Sequence, residues 1–413
     1  MSPLEVVGVL AAVVAVLGFI NYRFIRLPDI IGITAAGSLF ALVLAIIGRH
    51  EPAVVAWANG FASHFDFSEI VFHGLLGVLL FAGSLHIDIA KLAQQKWPVL
   101  VLSTLGVAIS TVVVGFGSHW LLAALGMTVS LVHCLIFGAL ISPTDPIAVL
   151  GVLKTVGAPQ ALETDIAGES LFNDGTGVVA FLALLGFAAG TFEPSWGGVA
   201  HLLALEVLGG MALGLVVGYA AFAMLRAMDS YAVEILVTIA LATGGYALAL
   251  RLHVSAPLAV VVMGLVIGNH GAKSAMSETT RRQLFQFWEL VDEILNLMLF
   301  GMMGLTLLAL AGTDESWLPA IALVPVVLFA RFVSVALPAL PLRRFLRHRT
   351  PHAVKVLTWG GLRGGLSVAL ALSLPEFEAR DLIVMATYSV VLFSLLVQAP
   401  TLGMLLRRLG LAR

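Results

Sequence analysis

Long apolar runs alternate with short polar connections along almost the whole chain. A run of about 20 apolar residues is long enough to cross the ~30 Å hydrocarbon core of a bilayer as a helix. Thirteen such spans are predicted, at about 4–21, 30–48, 70–87, 98–125, 130–153, 163–190, 198–225, 232–250, 255–271, 288–311, 317–340, 353–374 and 382–406. The polar stretch 273–288 carries a few apolar positions and predicts an amphipathic surface helix ahead of the tenth span. The pattern therefore predicts an all-α polytopic membrane protein.

Two of the predicted spans are interrupted. The sequence SPTDP at 142–146 places two prolines in span five, and WGGLRGG at 359–365 places four glycines and an arginine in span twelve. Both compositions weaken a helix, and broken backbone at membrane depth is tolerated only where it is buried in protein or lines a wet cavity. One interruption in each half predicts inverted repeats, spans four to six and eleven to thirteen, with the two broken helices crossing at mid-membrane around a binding site.

The composition agrees with one transmembrane domain, 1–413. Hydrophobic residues make up 60% of the chain and charged residues 11%, which excludes a sizeable soluble domain. A formal net charge of −2 argues against a nucleic-acid partner. The single Cys134 excludes a disulfide within the chain and predicts a free, buried thiol. The N-terminus lacks the features of a cleaved signal peptide, so the first apolar run is expected to be a retained span.

The basic residues predict how the chain is oriented in the membrane. Outside the spans, almost all Lys and Arg residues fall in connections that follow odd-numbered spans, and only Arg49, Arg251 and Arg380 follow even-numbered ones. Because cytoplasmic connections carry the excess of positive charge, the N-terminus is predicted outside and the C-terminus in the cytoplasm of the cell (inner) membrane.

The densest polar cluster at membrane depth is GESLFNDG at 168–175. An ionised carboxylate there costs several kcal/mol unless it is paired, hydrated or bound to an ion. Glu169 lies four positions before Asn173. Ser170 lies four before Asp174, so on a helix each pair is adjacent on one face. Polar residues also hydrogen-bond helices together, and this alternative stays open, but the density of the cluster favours an ion site.

The remaining buried charges predict a bracing network. Arg331 lies in the middle of its span and needs a carboxylate partner, for which Glu169 is the choice, leaving Asp174 uncommitted. Five acidic residues nearer the span ends are ascribed to interfacial hydration: Glu206, Glu234, Glu289, Asp292 and Glu293.

Two further charges lie within the interruptions themselves. Asp145 is expected to balance exposed N–H groups in span five, and Arg363 is expected to balance exposed carbonyl groups in span twelve, because helix ends carry partial charges of those signs.

Four motifs together resemble one family. They are SPTDPIAVL at 142–150, GESLFNDG at 168–175, Ala-Arg at 330–331 and GGLRGG at 360–365, and they resemble the monovalent cation:proton antiporters. An Asn before the Asp, with an arginine in the facing helix, is similar to the NhaP-like sodium/proton antiporter branch, a relative of the eukaryotic sodium/proton exchangers. The resemblance covers about 80–374.

This resemblance implies a fold of thirteen spans. A transport core (about 70–190 and 317–406) would move against a dimerisation scaffold (about 4–48 and 198–311) in a homodimer. The resemblance further implies that Asp174 holds cation or proton, with Thr144 offering its backbone carbonyl and Ser170 and Asp145 contributing directly or through water. The implied sodium ligands are Asp174, Thr144 and Ser170, and the implied bracing residues are Asn173, Glu169, Arg331 and Arg363.

The implied function is secondary sodium/proton antiport rather than enzymatic catalysis. We expect electroneutral 1:1 exchange by elevator-like alternating access, without a cofactor, since no ATP-binding motif is present. Potassium/proton or lithium/proton exchange is the nearest alternative. An ion channel and an intramembrane aspartyl protease using Asp145 and Asp174 are remote ones. Some prokaryotic members carry an acidic residue at positions matching 80–83, where this chain has none, so a ligand from span three stays open.

Overall fold

The structure is a computed structural model that describes residues 3–48, 75–190, 196–272, 275–310, 317–349 and 352–411. Every regular element in these ranges is a helix, as the apolar pattern predicts, and no strand occurs in them. In chain order the helices are α1 (Pro3–Ile20), α2 (Asp29–Gly48), α3 (Leu76–Leu85), α4 (Ile89–Gln94), α5 (Lys96–Ala124), α6 (Leu131–Leu140), α7 (Ile147–Val156), α8 (Gln160–Ala188), α9 (Trp196–Arg226), α10 (Tyr231–Arg251), α11 (Ala256–Gly271), α12 (Glu278–Leu310), α13 (Trp317–Ala322), α14 (Val324–Arg349), α15 (Ala353–Trp359), α16 (Gly365–Leu372) and α17 (Arg380–Arg408).

Local capping interactions account for several helix ends. The Asp88 carboxylate accepts a hydrogen bond from the Ala90 amide (2.8 Å) at the start of α4, and the Ser130 hydroxyl accepts one from the His133 amide (3.3 Å) at the start of α6. These side chains satisfy amide groups that have no partner within the helix. Helix α7 ends at Gly157, whose φ of 65° is the left-handed conformation that glycine adopts without strain.

Seven of the helices in the described ranges are long and apolar enough to cross a membrane. They cover Gly8–Ile25, Lys96–Ala124, Gln160–Ala188, Ala204–Arg226, Tyr231–Arg251, Trp317–Leu340 and Arg380–Arg408. Shorter apolar helices occupy the predicted second, third, fifth and ninth spans, and residues 70–74 of the third span lie outside the described residues. The number thirteen stays a prediction.

The polar stretch ahead of the tenth span does not form a separate surface helix. From Glu278 onward it belongs to α12, which continues without a break into the apolar part. Leu284 and Trp288 are buried, and the Trp288 indole donates a hydrogen bond to the Thr238 hydroxyl of α10 (2.9 Å). The sequence prediction is wrong here because packing of this apolar stripe against neighbouring helices allows one long helix to form.

The chain leaves the helical conformation at two places inside the apolar sequence. Residues 141–146 separate α6 from α7, and residues 360–364 separate α15 from α16. Prolines 143 and 146 cannot donate the amide hydrogen bonds that a continuous helix needs, and the glycines of the second segment weaken a helix through backbone entropy. The assignment of each pair of short helices to one span, and the inverted repeat, stay predictions.

Helix α8 lies where the apolar packing of the molecule converges. The described residues form three clusters of buried apolar side chains, and α8 contributes to each of them at successive levels. Leu162 and Ile166 join one cluster, Leu171 a second, and Val178 and Phe181 the third. The cluster of polar residues at 168–175 therefore lies among buried apolar side chains, where unpaired polar groups are costly.

Candidate functional site

The two non-helical segments contact each other directly. The Asp145 amide donates a hydrogen bond to the Leu362 carbonyl (2.8 Å). In the opposite direction, the Arg363 guanidinium donates to the Ser142 carbonyl and to the Pro143 carbonyl (3.0 Å). Carbonyl groups that helix interruption leaves without partners are thus satisfied across the contact. This arrangement fixes both segments next to α8.

The partners of Arg363 differ from those expected. The prediction that Arg363 balances carbonyls of its own helix is wrong, because its guanidinium binds the carbonyls of the other interruption. The Leu357 carbonyl of α15 is instead bound by Arg331 of α14, whose Nε lies 3.1 Å away. The reason is geometric: where two interrupted segments meet, a long side chain from one reaches the free carbonyls of the other.

Asp145 lies at the start of α7. Its Oδ1 accepts a hydrogen bond from the Ile147 amide (2.9 Å), so the carboxylate interacts with the positive end of that helix. Gly364 packs against the same carboxylate so closely that a Cβ atom there would collide with it. Glycine at this position is therefore required by the close approach of the two segments.

Asn173 of α8 holds Thr144 in place. Its Oδ1 accepts from the Thr144 amide (3.2 Å), and its Nδ2 donates to the Thr144 hydroxyl (2.8 Å). The Thr144 hydroxyl is also 2.9 Å from the Ser170 hydroxyl. No backbone amide in the described chain bonds to the Thr144 carbonyl. The hydroxyls and this carbonyl form a compact set of oxygens beside α8.

Glu169 and Arg331 form a buried ion pair. The guanidinium donates two hydrogen bonds, of 2.5 and 3.0 Å, one to each carboxylate oxygen. Their side chains are 2% and 8% exposed, respectively. These two bonds, together with the bond from Arg331 to the Leu357 carbonyl, satisfy most of the polar atoms that burial deprives of water. The pairing predicted from sequence is thus present, and the charge of Glu169 is committed to it.

Asp174 differs from Glu169 in having no such partner. It is half-buried, and no described side chain forms an ion pair or hydrogen bond with it. Asp145 is close enough to repel it electrostatically. An ionised carboxylate in this position favours a cation or a proton as its partner.

A cavity of about 580 Å³ reaches this carboxylate. The four residues predicted as ion ligands all line it: Thr144, Asp145, Ser170 and Asp174. The four predicted bracing residues do not line it: Glu169, Asn173, Arg331 and Arg363. The structure therefore separates the two predicted groups, one facing the cavity and one buried behind it.

Helix α12 forms a polar wall of the cavity that the sequence analysis missed. Glu289, Asp292, Glu293 and Asn296 all line the cavity. The sequence analysis assigned the first three to the membrane interface because the tenth span was predicted to start near 288. In the structure α12 begins ten residues earlier. Asp292 consequently lies about 20 Å along the helix from its start. The available signal was the spacing of these residues at i, i+3, i+4 and i+7, which places them on one face.

The oxygens of the cavity suit a hard monovalent cation. Carboxylates, hydroxyls, carbonyls of non-helical backbone and water are the ligands such ions take in interrupted transmembrane helices. The described residues contain no group of three or more His, Cys, Asp or Glu side chains that could hold a metal ion. The only cysteine, Cys134, is free and buried, as predicted. Helix α3 contributes mainly apolar side chains to the wall, among them Leu76 and Leu80.

We expect Gly364→Ala to destabilise the protein. The added methyl group collides with Asp145, and overpacking of this kind costs ~1–3 kcal/mol. Thermal melting of the purified protein in detergent should show a lower Tm. Gly244→Ala is the matched control, because a Cβ atom there meets nothing within 4 Å. Equal melting temperatures for the two variants would mean that the segments do not approach as closely as described.

Comparison with known proteins places this chain in a family. The profile of the family described as "Sodium/hydrogen exchanger, transmembrane" matches residues 9–408. The Na(+)/H(+) antiporter NhaP of Pseudomonas aeruginosa is 48% identical over 413 residues, covering 98% of this chain and 97% of that protein. The Na(+)/H(+) antiporter NhaH of Halobacillus dabanensis is 34% identical and covers 94% of both chains.

A solved structure shares the fold. The sodium proton antiporter MjNhaP1 from Methanocaldococcus jannaschii superposes with a TM-score of 0.76 over 98% of both chains, at 19% sequence identity. At that identity the likeness supports the architecture alone. The family profile and the sequence relatives, which span nearly the whole chain, carry the assignment: this multi-pass membrane protein belongs to the sodium/hydrogen exchanger family.

Proposed function

We propose that this protein is a secondary antiporter of the cell membrane that exchanges sodium ions for protons at Asp174. The observation that carries the proposal is the state of that carboxylate: it lines a cavity together with Thr144 and Ser170, and it has no partner among the described side chains. The relatives named above are sodium/proton antiporters, and their near-complete coverage of this chain supports the same activity here.

One carboxylate can hold either ion but not both. Sodium would bind to Asp174 with oxygens of Thr144 and Ser170 and with water, and a proton would bind covalently to the same carboxylate. Asp145 would contribute directly or through water, while its bond to the Ile147 amide keeps it oriented. Exchange follows if the site changes sides only when it is occupied, because each ion then displaces the other.

The buried network behind the site keeps the rest of the charge constant. Glu169 is ion-paired with Arg331, and Asn173 cannot titrate. Arg363 is held by carbonyl groups. If these groups keep their charge through the cycle, Asp174 is the one group whose charge changes with occupancy. Binding one proton or one sodium ion then gives the same net charge, and the exchange is one for one and electroneutral.

The cavity suggests how access alternates. Its polar mouth includes Asp88, Lys91 and Lys154, which lie in the connections after spans three and five, on the predicted cytoplasmic side. We therefore interpret the structure as open to the cytoplasm. The ligands lie within the predicted transport core, on α8 and on the non-helical segment 141–146, whereas α12 belongs to the predicted scaffold. An elevator-like movement of core against scaffold, in a homodimer, would carry Asp174 to the other side.

Two other monovalent cations are alternatives to sodium. Lithium and potassium accept the same oxygen ligands, so lithium/proton or potassium/proton exchange is the nearest alternative. A channel would conduct without exchanging protons. A protease would need Asp145 and Asp174 to act jointly on a peptide, whereas Asp145 is bonded to the Ile147 amide.

Everted membrane vesicles from cells that lack their own exchangers provide the test. A proton gradient is formed by respiration and followed with a fluorescent pH-gradient dye, and sodium, lithium, potassium or choline chloride is then added. We expect sodium to dissipate the gradient and choline to leave it unchanged. Comparing how strongly lithium and potassium dissipate the gradient gives the cation selectivity. If no cation dissipates the gradient more than in vesicles without the protein, the proposed function is wrong.

A further inference from the structure

Two buried polar atoms of the cavity wall have no hydrogen-bond partner in the part of the chain that the structure describes. They are Oδ1 of Asn296 on α12 and Oγ of Ser367 on α16, in residues that are 2% and 1% exposed. Both residues line the cavity. Unpartnered buried polar atoms are uncommon in native proteins, and in a wet cavity they mark a place where a ligand or ordered water belongs.

The orientation of the Asn296 amide is determined by its contacts. Nδ2 donates to the Asp292 backbone carbonyl (2.8 Å) and to Asp292 Oδ1 (3.1 Å). The reversed amide would place its oxygen against two acceptor oxygens, which is unfavourable. Oδ1 is therefore the atom left over. It is an acceptor, which only a hydrogen-bond donor or a cation can satisfy, and the neighbouring Asp292 carboxylate favours a cation.

We infer that Asn296 and Asp292 form a second cation subsite in the cavity, distinct from Asp174, which takes a partly hydrated monovalent cation such as sodium. This inference rests on the proposed function of the same cavity. The amide oxygen of Asn296 and the carboxylate of Asp292 supply two oxygens, and water supplies the rest. A divalent ion is disfavoured, because no group of three acidic or imidazole side chains that could hold a metal occurs among the described residues.

The subsite lies along an access route to the main site. Glu289 and Glu293 on α12 are exposed, Asp292 is half-buried, and Asn296 is buried, so the polar face of this helix runs from the mouth of the cavity inward. Negatively charged side chains that line such a cleft raise the local concentration of cations within it. A cation would pass this wall before reaching Asp174.

The inner end of this route is close to Asp145. Leu299, one helical turn beyond Asn296, packs against Gly365 at the start of α16. The preceding glycine, Gly364, packs against the Asp145 carboxylate. Gly364 and Gly365, where the chain enters α16, therefore lie between the subsite helix and the main site. The two cation positions are thus in one cavity but on different elements.

Equilibrium binding of sodium-22 to purified protein tests the subsite without requiring transport. The background is Asp174→Asn, which removes the main carboxylate. We expect this variant to retain saturable sodium binding that unlabelled sodium chloride displaces and choline chloride does not. Adding Asn296→Leu, which keeps the side-chain size but removes both polar atoms, should weaken that binding about tenfold or abolish it.

A matched control removes charge without touching the subsite. Glu293→Gln takes one negative charge from the same turn of α12, and in the same background it should weaken binding far less than Asn296→Leu. If Asn296→Leu does not fold, Asp292→Asn carries the test, because Asp292 is half-buried and the substitution is isosteric. Size-exclusion chromatography and thermal melting identify the folded variants.

Three results would overturn the subsite: no saturable binding to Asp174→Asn, binding unaffected by Asn296→Leu or Asp292→Asn, or an equal loss with Glu293→Gln, which would indicate general electrostatics. The exchange assay in vesicles separates this outcome from a failure of the proposed function. If the wild-type protein exchanges ions but the Asp174→Asn variant binds no sodium, only the subsite is rejected. Binding that depends on Asn296, in a protein that shows no exchange, supports the subsite and rejects the antiport.

Discussion

Replacing Asp174 with Asn should abolish sodium-dependent proton movement while leaving the protein folded. Asn keeps the shape of the side chain but cannot bind a proton covalently or provide a negative charge for sodium. Because no described side chain pairs with Asp174, the substitution breaks no ion pair and should leave the Tm close to that of the wild type. Everted vesicles measure the exchange, and melting of the purified protein in detergent measures the fold.

Glu163→Gln is the matched control for this substitution. Glu163 is also acidic, lies on the same helix and lines the same cavity, but it comes about three helical turns before Asp174. We expect this variant to keep most of the wild-type exchange. Full exchange by a well-folded Asp174→Asn variant, or equal losses in the two variants, would contradict the assignment of Asp174.

Removing either partner of the Glu169–Arg331 pair should destabilise the protein severely. Each single substitution, Glu169→Ala or Arg331→Ala, leaves an unpaired buried charge, which typically costs ~3–5 kcal/mol. The double variant buries no unpaired charge from this pair, so it should lose less than the sum of the single losses. Denaturation of the wild type, the two single variants and the double variant in detergent gives the coupling free energy between the two residues.

An exposed pair in the same chain provides the comparison. Arg281 and Glu278 are joined at 3.1 Å, but their side chains are 45% and 74% exposed, and such pairs contribute little to stability. A double-mutant cycle with Arg281→Ala and Glu278→Ala should therefore show almost no coupling free energy. Strict additivity in the Glu169–Arg331 cycle would mean that the buried pair does not act as a unit.

The sequence reveals the parts of the site whose chemistry conflicts with an apolar environment. Prolines 143 and 146 cannot belong to a regular helix interior, and Glu169 and Asp174 cannot remain unaccompanied at membrane depth. Such conflicts are local and can be found without knowing the fold. They predict the two interruptions, the polar cluster of α8 and the need of Arg331 for an acidic partner.

Features that depend on contacts between distant elements could not be predicted in the same way. The partners of Arg363 are backbone carbonyls more than two hundred positions away in the chain, and backbone carbonyls carry no sequence signal. The inward position of Asp292 depends on where α12 begins. Burial of Trp288 against α10 allows that helix to start at Glu278, and a polar stretch considered alone suggests a surface segment instead.

The central claim is that one sodium ion and one proton share a single carboxylate, and the voltage dependence of exchange tests it most directly. Purified protein is reconstituted into liposomes with a fixed pH difference, and valinomycin with potassium sets either an inside-negative or a zero membrane potential. If Asp174 alone changes charge with occupancy, each crossing moves the same charge, and the final sodium gradient should be identical at both potentials. Final sodium gradients that differ between the two potentials would show that a second group titrates, and would contradict the account.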